Sequence, residues 1–202
     1  MNFQQALQQL TESGYNPYPA APHIQIPNAR KALMAGLRHY MGDRAQWLPA
    51  YDKIALWLTD NQCRGLLCTG NCGLGKSLIC CKVLPVLLHH YCRKILTVYD
   101  AVSIGPRLQE AKSDALAVID DLGTEPTEYI NYGERHVPFN EITDEAEKRG
   151  HLLIITTNLA TSTPAGQGAD YPSIEARYGL RTIDRLRSIT KVVKFEGTSF
   201  RH

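Results

Sequence analysis

The residues Gly70-Asn71-Cys72-Gly73-Leu74-Gly75-Lys76-Ser77 have the spacing Gly-x-x-x-x-Gly-Lys-Ser, directly after the apolar run 66–69 and at the head of a helical pattern. In that context the glycines allow backbone N–H groups to cradle phosphates, and the helix N-terminus adds the positive end of its dipole. Lys76 would then reach the β- and γ-phosphates while the Ser77 hydroxyl ligates Mg²⁺. The spacing predicts a P-loop that binds a nucleoside triphosphate, read as ATP with Mg²⁺. Downstream, Ala117-Val118-Ile119-Asp120-Asp121 is an apolar run ending in paired carboxylates, the form of a Walker B strand. Asp120 would hold Mg²⁺, and Asp121 would orient or deprotonate the attacking water, with Glu125 a second candidate for that base. A third run, Leu152-Leu153-Ile154-Ile155, ends in Thr156-Thr157-Asn158 and sets another polar group at a strand end. Asn158 could sense the γ-phosphate or hold the water, since ligands of open α/β sheets bind at the carboxyl ends of strands.

The elements that must position these groups are legible as short apolar runs at 66–69, 95–99, 115–119, 152–155 and 191–195, separated by helical patterns. Runs of this kind read as βαβ units, so a parallel five-stranded sheet in a three-layer α/β domain is expected. Pro85 should kink or interrupt the helix after the P-loop, because proline lacks an N–H and crowds the preceding turn. Residues 103–111 have room for one short helix. Upstream, residues 2–12 suit a short helix, and Gly14, Pro17, Pro19, Pro22 and Pro27 argue for an extended connector. Two amphipathic helical stripes follow, Ala29, Leu33, Leu37, Tyr40 and Met41, then Trp47, Leu48, Tyr51, Ile54, Ala55 and Leu58. Their apolar faces read as core packing. The expected division is an N-terminal helical and linker segment at 1–49 and an ATPase domain at 50–202.

The chain of 202 residues suits one α/β domain with an appendage, and 44% hydrophobic with 21% charged residues suits a folded globule. A net charge of +2 does not by itself mark a nucleic-acid binder, though basic residues could still cluster on one face. The N-terminus lacks the pattern of a signal peptide and no run is long enough to span a bilayer, so a cytoplasmic protein is expected. The six cysteines, Cys63, Cys68, Cys72, Cys80, Cys81 and Cys92, are then expected to be reduced. They show no paired C-x-x-C spacing, which argues against a zinc site.

Together these elements resemble the AAA+ ATPases, and within them the DnaC-type helicase loaders and the related IstB-type transposition ATPases. The resemblance rests on Gly70 to Ser77, on Val118-Ile119-Asp120-Asp121-Leu122-Gly123, on Ile154-Ile155-Thr156-Thr157-Asn158-Leu159 and on Tyr178-Gly179-Leu180-Arg181-Thr182-Ile183-Asp184-Arg185-Leu186. A last stretch, Phe195-Glu196-Gly197-Thr198-Ser199-Phe200-Arg201, looks like the loader C-terminal signature. The resemblance implies that Asn158 is the sensor 1 residue, that Arg185 is the arginine finger with Arg181 as its rival, and that Arg201 is a candidate sensor 2. A rigid guanidinium offered by a neighbouring subunit can neutralise charge developing on the transferred phosphoryl group.

The sequence departs from that family's pattern in two places. Too little chain separates Tyr99 from Ala115 for the extra helical insertion with which loaders grip single-stranded DNA. Too little follows Asn158 for an ordinary helical lid, which is expected to be absent or vestigial. The function implied is ATP hydrolysis in DNA replication, loading a replicative helicase. Self-association and single-stranded DNA join that helicase among the implied partners. The rival within the superfamily is an IstB-like transposition helper. A small-molecule P-loop kinase and a non-catalytic nucleotide switch are rivals from other classes.

Overall fold

A computed structural model describes residues 2–16, 19–168 and 171–197. Its centre is a parallel sheet of five strands, β1 (Gly65–Gly70), β2 (Thr97–Asp100), β3 (Leu116–Leu122), β6 (Leu152–Thr157) and β7 (Thr190–Phe195), in the order β2-β3-β6-β1-β7. The five apolar runs of the sequence are these strands, within a few residues at each end. Parallel pairing leaves both faces of the sheet to be covered, so successive side chains divide between two cores. Leu66 and Cys68 of β1, Val118 of β3, and Leu152 and Ile154 of β6 enter one core. Leu67, Ala117, Ile119, Leu153 and Ile155 enter the other. The result is the expected three-layer α/β fold.

The first core is roofed by α2 (Ala29–Met41), α3 (Pro49–Thr59) and α4 (Leu84–Cys92), the second by α5 (Leu108–Ser113), α6 (Pro138–Arg149) and α8 (Leu180–Ile189). Pro85 interrupts its helix as predicted. The turn ahead of it, Leu78–Val83, is wound in the wider π form, with the Leu84 N–H donating to the Ile79 carbonyl, and α4 restarts with Pro85 in its first turn. Val83 and Leu84 keep right-handed helical dihedrals, so the proline interrupts the α winding without ending the helix. The short helix expected at 103–111 instead appears as a 3₁₀ turn at Ala101–Ser103 followed by α5.

The N-terminal region differs from its reading in one respect. Helix α1 (Phe3–Glu12) forms, and none of its residues is buried. Residues 19–26 of the proline-rich stretch form no helix or strand, but their last part is packed rather than free. Ile24 and Ile26 are fully buried, the Ile26 N–H donates to the Leu58 carbonyl at 2.8 Å, and the Ile24 N–H donates to Asn61 Oδ1 at 2.8 Å. The alternation His23-Ile24-Gln25-Ile26 is a period-two signal that the prolines masked. Also unforeseen is the hairpin of β4 (Tyr129–Asn131) and β5 (Glu134–His136), turned at Tyr132 (φ 48°) and Gly133 (φ 85°). A two-residue turn with both φ positive matches strand twist, but tyrosine rarely adopts it, and so the sequence signal was weak. Among the described residues no helix is long and apolar enough to cross a membrane.

Candidate functional site

Because the strands are parallel, β1, β3 and β6 bring their carboxyl ends to one edge of the sheet, and β6 lies between the other two. The P-loop opens where β1 ends. Gly70 has φ 117°, and a β-carbon on it would collide with the Phe195 carbonyl of the neighbouring strand. Gly73 and Gly75 follow with φ 76° and 82°, conformations that side chains rarely adopt. Tyr51, reaching up from α3, braces the loop by donating its hydroxyl to the Leu74 carbonyl at 3.0 Å. Burial pushes the Tyr51 pKa up to about 12, so the phenol stays protonated and a donor at neutral pH.

Lys76 is 5% exposed, and its Nζ donates to the Gly70 carbonyl at 2.7 Å, the Asn71 carbonyl at 2.8 Å and Asn158 Oδ1 at 2.9 Å. An ammonium has three protons, and these acceptors take all of them. The same contacts join the P-loop to the end of β6, so two separate motifs converge on one charged atom. Burial lowers the Lys76 pKa below the usual lysine value, opposed by Cys72, Asp121, Cys68 and Asp120. The carboxylates at the end of β3 therefore act electrostatically on the Lys76 amine.

The end of β3 is irregular. Ile119 pairs with Ile155 but Leu122 pairs with Thr157, so β3 holds one residue more than its partner across this interval. Asp121 takes up the excess with φ 54°, a left-handed conformation that aspartate tolerates better than most residues. Thr156 fills the resulting gap. Its hydroxyl donates to Asp120 Oδ1 at 2.5 Å and accepts from the Asp121 N–H at 2.9 Å. One buried hydroxyl thus fixes one carboxylate and the backbone that aims the next. Thr157 repeats the device one residue on, donating to the Leu122 carbonyl at 2.6 Å and accepting from the Leu159 N–H at 3.0 Å.

Ser77 is half-buried at the head of the helix, and Asp120 is half-buried at the strand end. A hydroxyl oxygen and a carboxylate oxygen form a hard donor set, which suits Mg²⁺ and is incomplete without phosphate oxygens and water. Elsewhere, no group of three or more His, Cys, Asp or Glu among the described residues could hold a metal ion.

Two groups of predicted site residues are held in other contacts. Glu125 is buried, accepts from the Gly123 N–H at 2.8 Å and from the Tyr178 hydroxyl, and lies 4.0 Å from the Arg177 guanidinium. Arg177 also donates to the Glu125 carbonyl. Burial, reinforced by the bond to Glu125, raises the Tyr178 pKa and keeps its hydroxyl a donor. This arrangement ties the loop after β3 to α7 (Ile174–Tyr178). Arg185, on α8, pairs with Asp144 and with Glu147 Oε2 at 3.0 Å, which fastens α8 to α6, whereas Arg181 one turn earlier is exposed. Arg201 lies outside the described residues.

No protein-family model matches the chain, and no curated protein is similar to it in sequence. Similar folds are found among solved structures. A DnaC helicase loader is 15% identical with a TM-score of 0.49, covering 85% of this chain and 93% of that one. DnaI is 15% identical with a TM-score of 0.48, covering 87% and 86%. DnaA from Aquifex aeolicus bound to AMPPCP is 15% identical with a TM-score of 0.44, covering 66% and 40%.

Sequence reasoning missed Thr156, Tyr51, and the Tyr178–Arg177 pair that holds Glu125. Thr156 lay within a quoted stretch, yet a buried threonine on an apolar strand has no sequence signal that separates it from filler. Replacing it with valine keeps its shape and removes both hydrogen bonds. Thr156→Val should therefore lose about 2 kcal/mol in urea unfolding and on the order of tenfold in ATP turnover through a displaced carboxylate. Thr156→Ser, which keeps the hydroxyl, should retain most of the turnover. Equal turnover in Thr156→Val and wild type would remove the positioning role.

Proposed function

We propose that the chain is a Mg²⁺-dependent ATPase of DNA replication that loads a replicative helicase, with ATP held where two subunits meet. The observation that carries the nucleotide reading is the Lys76 ammonium bonded to both P-loop carbonyls and to Asn158, beside the Asp120 and Asp121 strand end. The replication role rests on the motif resemblance of residues 118–123, 154–159 and 178–186.

In this reading an entering triphosphate takes over donors of Lys76 now spent on Gly70, Asn71 and Asn158. Released from the lysine, Asn158 can turn its amide to the γ-phosphate or the attacking water. Asp121 orients that water and takes its proton as the oxygen bonds to the γ-phosphorus and the ADP oxygen leaves. Ser77 and Asp120 would hold Mg²⁺, which supplies positive charge to the phosphate oxygens. Glu125, held by Gly123, Tyr178 and Arg177, keeps the loop after β3 in place.

Asp121→Asn separates binding from chemistry, because the amide can position water but cannot accept its proton. Its turnover should fall on the order of a hundredfold with ATP affinity within a few-fold of wild type. Glu125→Gln should chiefly lower the melting temperature. The reverse pattern would move the base to Glu125. Phosphate release with and without single-stranded DNA and a hexameric helicase, run beside a screen of small-molecule phosphate acceptors, tests the function itself. Phosphoryl transfer to a metabolite in place of water would replace the ATPase reading with a kinase.

A further inference from the structure

Away from the P-loop, a groove of about 780 Å³ runs along α2, lined by Asn28, Arg30, Lys31, Met34, Arg38 and Trp47 among others. Helix α2 carries Arg30, Lys31, Arg38 and His39 and no acidic residue. Arg30, Lys31 and Arg38 are exposed, and no carboxylate lines this groove. Two acids lie close by. Asp52 pairs with Arg30, and Asp43 lines a smaller hollow of about 380 Å³ that shares Arg38. Lys31 and Arg38 make no ion pair among the described residues. The weak net charge of the chain therefore conceals a local concentration of positive charge.

The groove also has flat apolar surface. The Arg30 guanidinium lies 4.4 Å from the centre of the Trp47 ring, and Trp47 is held by donating its indole N–H to Asp52 Oδ1 at 3.1 Å. Asp52 fixes both the ring and the cation stacked on it, so the pair is pre-organised. Cations along one helix face beside a fixed aromatic–guanidinium stack suit a ligand that alternates phosphates with flat rings. A regular duplex keeps its bases stacked inside and offers none to such a platform.

We propose that this groove binds single-stranded nucleic acid, with Lys31 and Arg38 on the phosphates and a base stacked at Trp47 and Arg30. The inference does not depend on the ATPase reading, because no groove residue belongs to the nucleotide site. It also supplies a contact that does not need the helical insertion lacking between Tyr99 and Ala115.

The test uses the full chain and a fluorescent oligo-dT. Of the two tryptophans, Trp57 is 1% exposed and Trp47 is half-buried, so quenching of intrinsic fluorescence should report Trp47 and disappear in Trp47→Phe. The exposed pair Lys31→Glu with Arg38→Glu should fold and lose at least tenfold in affinity at about 0.1 M salt, with the slope of log K against log salt falling by about 1.4 for two lost phosphate contacts. Lys76→Ala should bind oligo-dT like wild type, which keeps this result separate from the ATP site. Unchanged affinity and salt slope in the folded double variant, or no binding by wild type, would overturn the proposal. Equal affinity for a duplex, or displacement of oligo-dT by poly-glutamate at matched charge, would overturn it in favour of a general anion surface.

Discussion

A Lys76→Ala protein should fold and fail to bind ATP. The ammonium supplies charge-assisted bonds to two phosphates, and losing both costs about 4 kcal/mol, near a thousandfold in Kd. The fold should survive because the Gly70 and Asn71 carbonyls that the lysine leaves sit at a loop that water can reach. Titration calorimetry beside thermal unfolding reads both quantities. Unchanged ATP affinity in the folded variant would remove the site. The pH dependence adds a second reading. Burial lowers the pKa of free Lys76, whereas bound phosphate would raise it again, so binding takes up a proton between the two values. ATP affinity in wild type should then decline as pH rises through that interval, which begins below the ordinary lysine value of 10.5. The residual affinity of Lys76→Ala should show no such decline.

Arg181→Ala should bind ATP almost normally and turn it over on the order of a thousandfold more slowly, the loss expected when a guanidinium no longer meets charge on the transferred phosphoryl. The motif resemblance allows Arg185 or Arg181 this role. Exposure favours Arg181, because Arg185 is spent on Asp144 and Glu147 between α6 and α8 and would have to abandon both to reach a neighbour's phosphate. Arg185→Ala should instead cost about 1 kcal/mol of stability and leave turnover within a few-fold of wild type. Mixing Arg181→Ala with Lys76→Ala should restore part of the activity, since one supplies an intact P-loop and the other the missing arginine. Collapse of turnover in a stable Arg185→Ala protein, with rescue in the same mixing test, would return the role to Arg185. Turnover unaffected by either substitution, or independent of protein concentration down to a demonstrated monomer, would end the shared-site mechanism.

The sequence by itself determined the strands, because each is a short apolar run that a parallel sheet buries on both faces, and no other element suits such runs between helical patterns. It likewise determined the P-loop, whose chemistry is local: Gly70 to Ser77 are contiguous, and three glycines with positive φ are a property of one turn. It determined the break at Pro85 for the same reason. Tertiary structure decided every relation between segments. Thr156 became a positioning residue only because β6 lies beside β3, where an extra residue opens a gap of the size of its hydroxyl. Glu125, equal to Asp121 as a carboxylate in the sequence, was separated from it by Tyr178 and Arg177 more than fifty residues away. Arg181 and Arg185, one helical turn apart and alike in chemistry, differ because Arg185 pairs directly with Asp144 and Glu147 of α6, whereas Arg181 acts on Asp144 only through its charge and stays exposed. The basic groove was invisible in a net charge of +2, since a sum over the chain carries no position. Local conformation follows from neighbouring residues, while pairing, burial and exposure depend on which distant residues the fold brings into contact.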